Sequence, residues 1–139
     1  MAQSIREVMT ADPRTVEAGA TVADAAREMR DGDVGAVVVV DGGTVAGILT
    51  DRDIAVRAVA EGRDPDATRV SEIASMNVVT LTVDQSVDDA IRLVREQDVR
   101  RIIVLQDDRA AGIVSLGDLA IERDTGSALA DIASEPPNR

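Results

Sequence analysis

Two heptapeptides carry the residues best suited to chemistry. Gly47-Ile48-Leu49-Thr50-Asp51-Arg52-Asp53 and Gly112-Ile113-Val114-Ser115-Leu116-Gly117-Asp118 share the pattern Gly-h-h-[Ser/Thr]-x-x-Asp, with h apolar. Each reads as a strand running into a helix N-terminus, where free backbone N–H groups and the helix dipole favour an anion such as a phosphate. The hydroxyl of Thr50 or Ser115 adds a polar contact there. Three residues on, the carboxylate of Asp53 or Asp118 can accept both hydrogen bonds of a vicinal diol, which is what a ribose presents. Phosphate plus ribose is a nucleotide. The same spacing is also a helix-capping signal that needs no ligand. Ser4-Ile5-Arg6-Glu7, Thr21-Val22-Ala23-Asp24 and Ser86-Val87-Asp88-Asp89 repeat it at other expected helix starts, so spacing alone leaves both readings open. The glycine ahead of the strand end, recurring at equivalent places, is what favours a ligand.

Arg14, Arg52, Arg100 and Arg101 are the cations best placed to meet a phosphate, because Arg52 lies inside the first motif and the others flank expected strands. Strand alternation sends Arg100 and Arg101 to opposite faces. With 26 acidic residues on the chain, the bland expectation for any arginine is a surface ion pair, worth on the order of 1 kcal/mol or less.

The rest of the composition mainly excludes. Among 139 residues there are 15 basic and 26 acidic side chains, for a net charge of −11, and every basic residue is arginine. Histidine, cysteine and all aromatic residues are missing. Ser-His-Asp, Cys-His and thiolate-metal chemistry are therefore ruled out, and no catalytic residue or required cofactor is assigned. Asp31/Asp33, Asp51/Asp53 and Asp107-Asp108 lack the spacing of a calcium loop and read as solvated turns and helix ends, so no metal site is expected. A strongly acidic chain without rings for stacking bases disfavours nucleic acid and anionic membranes. No signal-peptide pattern opens the chain, and its longest apolar run, Val34 to Val40, is too short to span a bilayer; a cytoplasmic location is expected.

An internal repeat positions the motifs. Displaced by 65 positions, Thr21–Ile54 aligns with Ser86–Leu119 without a gap, and 12 of the 34 pairs are identical. Within each copy the hydrophobic period changes in a fixed order. Thr15-Val16 and Val78–Leu81 read as short strands. Val22, Ala25, Ala26 and Met29, like Val87, Ala90, Ile91 and Val94, mark one face of a helix. Ala36–Val40 and Ile102–Leu105 read as buried strands that turn at Asp41-Gly42-Gly43 or Gln106-Asp107-Asp108 into Val45–Leu49 or Ala110–Val114. A second helix covers Asp51–Ala60 or Leu116–Arg123. The order β-α-β-β-α predicts an α+β fold: a small mixed sheet, parallel across the helix crossover and antiparallel at the hairpin. Domains are expected at residues 1–64 and 65–123, with a last helix from Asp124 to Ala133 and a frayed end at 134–139. Met9, Met29 and Met76 read as core filling.

These residues resemble a tandem pair of cystathionine-β-synthase-type (CBS) domains, the assembly called a Bateman module. The first copy is similar to the family consensus over Ile5–Thr10, Thr15-Val16, Val22–Met29, Val34-Gly35-Ala36 and Gly47–Ile54. The second is similar over Val99-Arg100-Arg101, Gly112–Ser115 and Asp118-Leu119. The resemblance implies two β-α-β-β-α units about a pseudo-twofold axis, with clefts between them, and assembly as a homodimer. It also implies a non-catalytic regulator of a partner protein, with AMP, ADP, ATP or S-adenosylmethionine as candidate ligands. Carried over by position, Asp53 and Asp118 hold ribose, and Thr50 and Ser115 contact phosphate or sugar. Thr15 and Thr80 lie near the base, and Ala36 and Arg101 line the pocket strand. Many family members have proline where this chain has Val38 and Ile103. The alternative is a ligand-free dimeric scaffold in which both motifs only cap helices.

Overall fold

The computed structural model describes residues 4–123, with side chains through Ala120; the expected helix at 124–133 and tail lie outside the described residues. A 3-10 turn (Ile5–Glu7) and β1 (Thr10–Ala11) open the described chain. The first repeat follows with β2 (Thr15–Glu17), α1 (Val22–Gly32), β3 (Ala36–Asp41) and β4 (Thr44–Thr50). It closes with α2 (Asp51–Asp53), a π-helical segment (Ile54–Val59) and α3 (Val70–Ile73). The second repeat comprises β5 (Thr80–Thr82), α4 (Val87–Gln97), β6 (Arg101–Gln106), β7 (Arg109–Ser115) and α5 (Leu116–Arg123). The β-α-β-β-α order expected from hydrophobic period is present twice.

The first repeat forms a three-stranded sheet in the order β2-β3-β4, parallel between β2 and β3 and antiparallel between β3 and β4. Alternation along these strands sends Val16, Val37, Val39 and Leu49 to one face. They join Val22, Ala25 and Met29 of α1 in a single apolar cluster. In the second repeat the sheet has the order β1-β7-β6-β5, with β5 parallel to β6. Leu81, Ile102, Val104 and Val114 pack with Val87 and Ala90 of α4. Both long helices end on an aspartate in the left-handed region, Asp33 and Asp98, a residue type that visits this region more readily than most.

The compact units do not divide at 64/65, where a cut along the chain places the domain boundary. Among the described residues, one unit contains Asp12–Val78 with Asp107–Ala110; the other contains residues 4–11, Val79–Gln106 and residues 111–123. Burial explains the difference. Ile5 is wholly buried in the second repeat's cluster, and its amide donates to the carbonyl of Gln85 at 2.9 Å. Val70 and Ile73 are buried in the first repeat's cluster. Each repeat therefore completes its core with a helical turn that precedes the other repeat in sequence.

Two local departures follow from backbone geometry. The second helix of the first repeat is not α-helical throughout: the Ala60 amide donates to Ala55 and that of Arg63 to Ala58, both i→i−5. This wider turn buries Ala58 and leaves Val56 and Val59 exposed. The β3–β4 hairpin turns on Gly42 and Gly43, both at positive φ, whereas the equivalent turn in the second repeat places Asp107 and Asp108 there. A two-residue turn with both φ positive favours Asn-Gly. Replacing Asp107-Asp108 by Asn-Gly is expected to raise stability by about 1 kcal/mol, read as a higher denaturant midpoint. An unchanged or lower midpoint contradicts this.

Candidate functional site

The sheet register gathers the candidate residues of each repeat at one end of its sheet. Thr15 lies opposite Val38, Val38 opposite Ile48, and Ala36 opposite Thr50. These five share the face that does not carry the main core. In the second repeat Thr80 lies opposite Ile103, and Arg101 is two residues before Ile103 on the same strand. Ser115 is adjacent to core-facing Val114, so it shares the face of Thr80 and Arg101. Arg100 precedes β6 and is exposed; its carbonyl accepts the Leu116 amide at 2.8 Å, as that of Gly35 accepts the Asp51 amide at 3.0 Å. Val38 and Ile103 are buried, and their amides donate to the carbonyls of Arg14 and Val79 at 2.9 and 3.1 Å. A proline at either position would remove that donor.

At the strand-to-helix junctions the capping reading is realised in full. The Asp53 amide donates to Thr50 Oγ1 at 3.1 Å, and the Thr50 amide donates to Asp53 Oδ2 at 2.9 Å. Ser115 and Asp118 form the same box at 3.1 and 3.0 Å. Thr21 with Asp24 and Ser86 with Asp89 form it too, so the box does not distinguish a site. The second carboxylate oxygen does. Asp24 Oδ1 and Asp89 Oδ1 each accept from an arginine three residues on, Arg27 and Arg92, at 2.9 Å. The backbone hydrogen bond from the capping residue, with help from these arginines, holds both carboxyls below the ordinary aspartate value of 3.8. Asp53 Oδ1 has only Arg57 Nε at 3.9 Å, and Asp118 has no ion pair among the described residues. The positions three residues after Asp53 and Asp118 hold Val56 and Ile121. The second carboxylate oxygen of each motif therefore lacks the close arginine hydrogen bond that Asp24 and Asp89 have.

The cations divide. Arg14 is tied to Glu28 at 3.0 Å, whereas Arg52, Arg100 and Arg101 are exposed and in no ion pair among the described residues. Sequence reasoning missed Arg57, whose guanidinium bonds the carbonyl of Ile73 at 3.1 Å while approaching Asp53. Its position four residues after an aspartate on a helix was the available signal. The motif glycines have a steric cause. A Cβ on Gly47 would lie 2.6 Å from the Ser75 carbonyl oxygen, and one on Gly112 would lie 2.5 Å from Met9 Sδ. Ser75 bridges to Ile48, and β1 pairs with β7 at Thr10–Ile113. A second backbone segment therefore lies close over each glycine, an isolated bridge at Ser75 and the start of β1 at Thr10. Met29 is buried and Met9 packs against the core, but Met76 is exposed rather than core filling. A separate groove of about 290 Å³ on α4, lined by Asp88, Ile91, Arg92, Arg95 and Glu96, contains none of these residues. Among the described residues no group of acidic side chains could hold a metal ion.

The profile of the CBS domain matches twice, over residues 5–59 and 70–123. The chain belongs to the CBS-domain family. It is 39% identical over 136 residues to the CBS domain-containing protein YhcV of Bacillus subtilis, covering 95% of this chain and 96% of that one. A CBS-domain-containing protein of Agrobacterium tumefaciens has a similar structure, with TM-score 0.72 at 31% identity, covering 88% of this chain and 95% of that one. So does the hexameric CBS-CP12 protein of bloom-forming cyanobacteria, with TM-score 0.77 at 29% identity, covering 99% and 78%. The chain is a tandem pair of CBS units. Membership fits a regulatory, non-catalytic role. No helix among the described residues is long and apolar enough to cross a membrane.

Proposed function

We propose that this CBS pair is a cytoplasmic, homodimeric sensor that binds an adenine nucleotide (AMP, ADP or ATP) or S-adenosylmethionine and passes its occupancy to a partner protein. Thr15, Ala36, Thr50, Arg52 and Asp53 form the binding end of the first repeat. Thr80, Arg100, Arg101, Ser115 and Asp118 form that of the second. The observation carrying this reading is the second carboxylate oxygen of each motif, approached only at 3.9 Å by Arg57 on Asp53 and in no ion pair among the described residues on Asp118, set against the arginine-bonded oxygens of Asp24 and Asp89 at 2.9 Å. Thr50 and Ser115 lie beside them with exposed threonines on the same sheet face. With no aromatic ring in the chain, the base is held by aliphatic side chains, backbone and the plane of an arginine.

A scaffold in which the motifs only cap helices is the second reading, favoured by the completeness of both boxes. Two variant classes separate them. Asp53→Ala and Asp118→Ala remove caps and cost about 1 kcal/mol each on either reading. Asp53→Asn and Asp118→Asn keep an oxygen for the box but present a donor where a diol needs an acceptor. Calorimetric titration of the wild type with AMP, ADP, ATP and S-adenosylmethionine is expected to give heat with at least one of them. The Asn variants should stay folded and lose at least about tenfold in affinity, since a hydrogen bond to a charged group is worth about 1.5–3 kcal/mol. Absence of heat with folded wild-type protein, or equal binding by the Asn variants, favours the scaffold.

A further inference from the structure

We infer that the two repeat-related ends are not equivalent, and that the second repeat alone takes a ligand bearing an anionic phosphate, one per chain. This rests on the reading of both ends as adenosine sites and adds which of them reads phosphate charge. The difference lies in what the repeat places at matched positions. Ala36 of the first sheet end becomes Arg101 in the second, on the face shared with Thr80 and Ser115. Gly35 becomes Arg100, and both arginines are exposed and outside every ion pair among the described residues. An exposed guanidinium with no carboxylate partner can offer its planar fork to phosphate oxygens without first breaking an ion pair.

The first end is arranged the other way. The Asp51 carboxylate lies against Gly35, with an oxygen 3.3 Å from where a side chain would begin, and its matched residue in the second repeat is Leu116. Arg52 follows it directly, so this dipeptide carries no net charge, whereas the matched Leu116-Gly117 is uncharged beside two arginines at 100 and 101. Arg57 also approaches Asp53, where position 122 of the second repeat is glutamate and supplies no cation to Asp118. A phosphate entering the first end meets the Asp51 carboxylate. At the second it meets Arg101, which is in no ion pair among the described residues.

Calorimetry with ADP and with adenosine tests this on the full chain. One ADP per chain is expected, bound at least about tenfold more tightly than adenosine. Arg101→Ala should remove that preference while the thermal unfolding curve stays cooperative and at the wild-type midpoint, which a general loss of fold would not allow. Arg95→Ala removes an equal charge elsewhere and should retain the preference. Asp118→Asn should abolish the ADP heat. Two ADP per chain, or an unchanged ADP-to-adenosine ratio in Arg101→Ala, would overturn the inference while leaving the adenosine reading intact. ADP binding undiminished by Asp118→Asn would overturn both. Failure of folded protein to bind either compound would remove both.

Discussion

Replacing Ile5 by alanine is expected to destabilise the second repeat, not the first, by about 2–5 kcal/mol. Ile5 is the first large side chain of the described residues, yet it is wholly buried among Leu81, Val83, Val87, Ile102 and Val104. Its truncation would leave a cavity bordered by the second repeat's helix and sheet. Ile73→Ala is the reciprocal case, because Ile73 packs with Val16, Val22 and Val37 of the first repeat. Native-state hydrogen exchange reads the two separately, since sub-global opening reports where stability has been lost. Ile5→Ala should speed exchange most at Ile102 and Val104, and Ile73→Ala most at Val37 and Val39. The opposite assignment would contradict the exchange of helical turns between repeats.

Alanine at the two motif glycines separates steric need from ligand contact, and the two positions should respond unequally. Neither Gly47 nor Gly112 has positive φ, so the issue is space. At Gly47 the obstruction is backbone: the Ser75 carbonyl at 2.6 Å and the Met76 Cα at 3.3 Å, with Met76 Sδ at 2.8 Å. At Gly112 the nearest atoms are Met9 Sδ at 2.5 Å and Cγ at 2.8 Å, with the Thr10 carbonyl at 3.0 Å. A thioether side chain can rotate aside, whereas a bridged backbone segment cannot without losing hydrogen bonds. Gly47→Ala should therefore cost about 3 kcal/mol and Gly112→Ala nearer 1 kcal/mol, the range of overpacked cores. Adding Met9→Ala should recover most of the loss at Gly112. Adding Met76→Ala should recover little at Gly47. Equal costs, or full rescue at Gly47, would contradict the close-backbone explanation.

The elements themselves were legible because hydrophobic period reports burial directly. Val22, Ala25 and Met29 mark α1, and the β-branched runs mark β3 and β6. The same periodicity says that Ile5 is buried but not against what, so the segment exchange was beyond its reach. Nor does it separate α from π winding at Ile54–Val59, where the shift is a single hydrogen-bond register. At the candidate site, the cap and the ligand readings use the same two residues, Thr50 and Asp53 or Ser115 and Asp118. What parts them from Asp24 and Asp89 is the position three residues after the aspartate, arginine at 27 and 92 against apolar residues at 56 and 121. The glycines point the other way: their recurrence looked like a ligand feature, and the structure supplies a packing cause.

The most direct test of nucleotide recognition at the Asp-bearing sheet ends is an amide-resolved NMR titration of the full chain with ADP. The largest shifts are expected at Thr80, Arg101, Ser115 and Asp118, saturating together. Shifts confined to the α4 groove around Ile91 and Arg95, or none at all in folded protein, would contradict it.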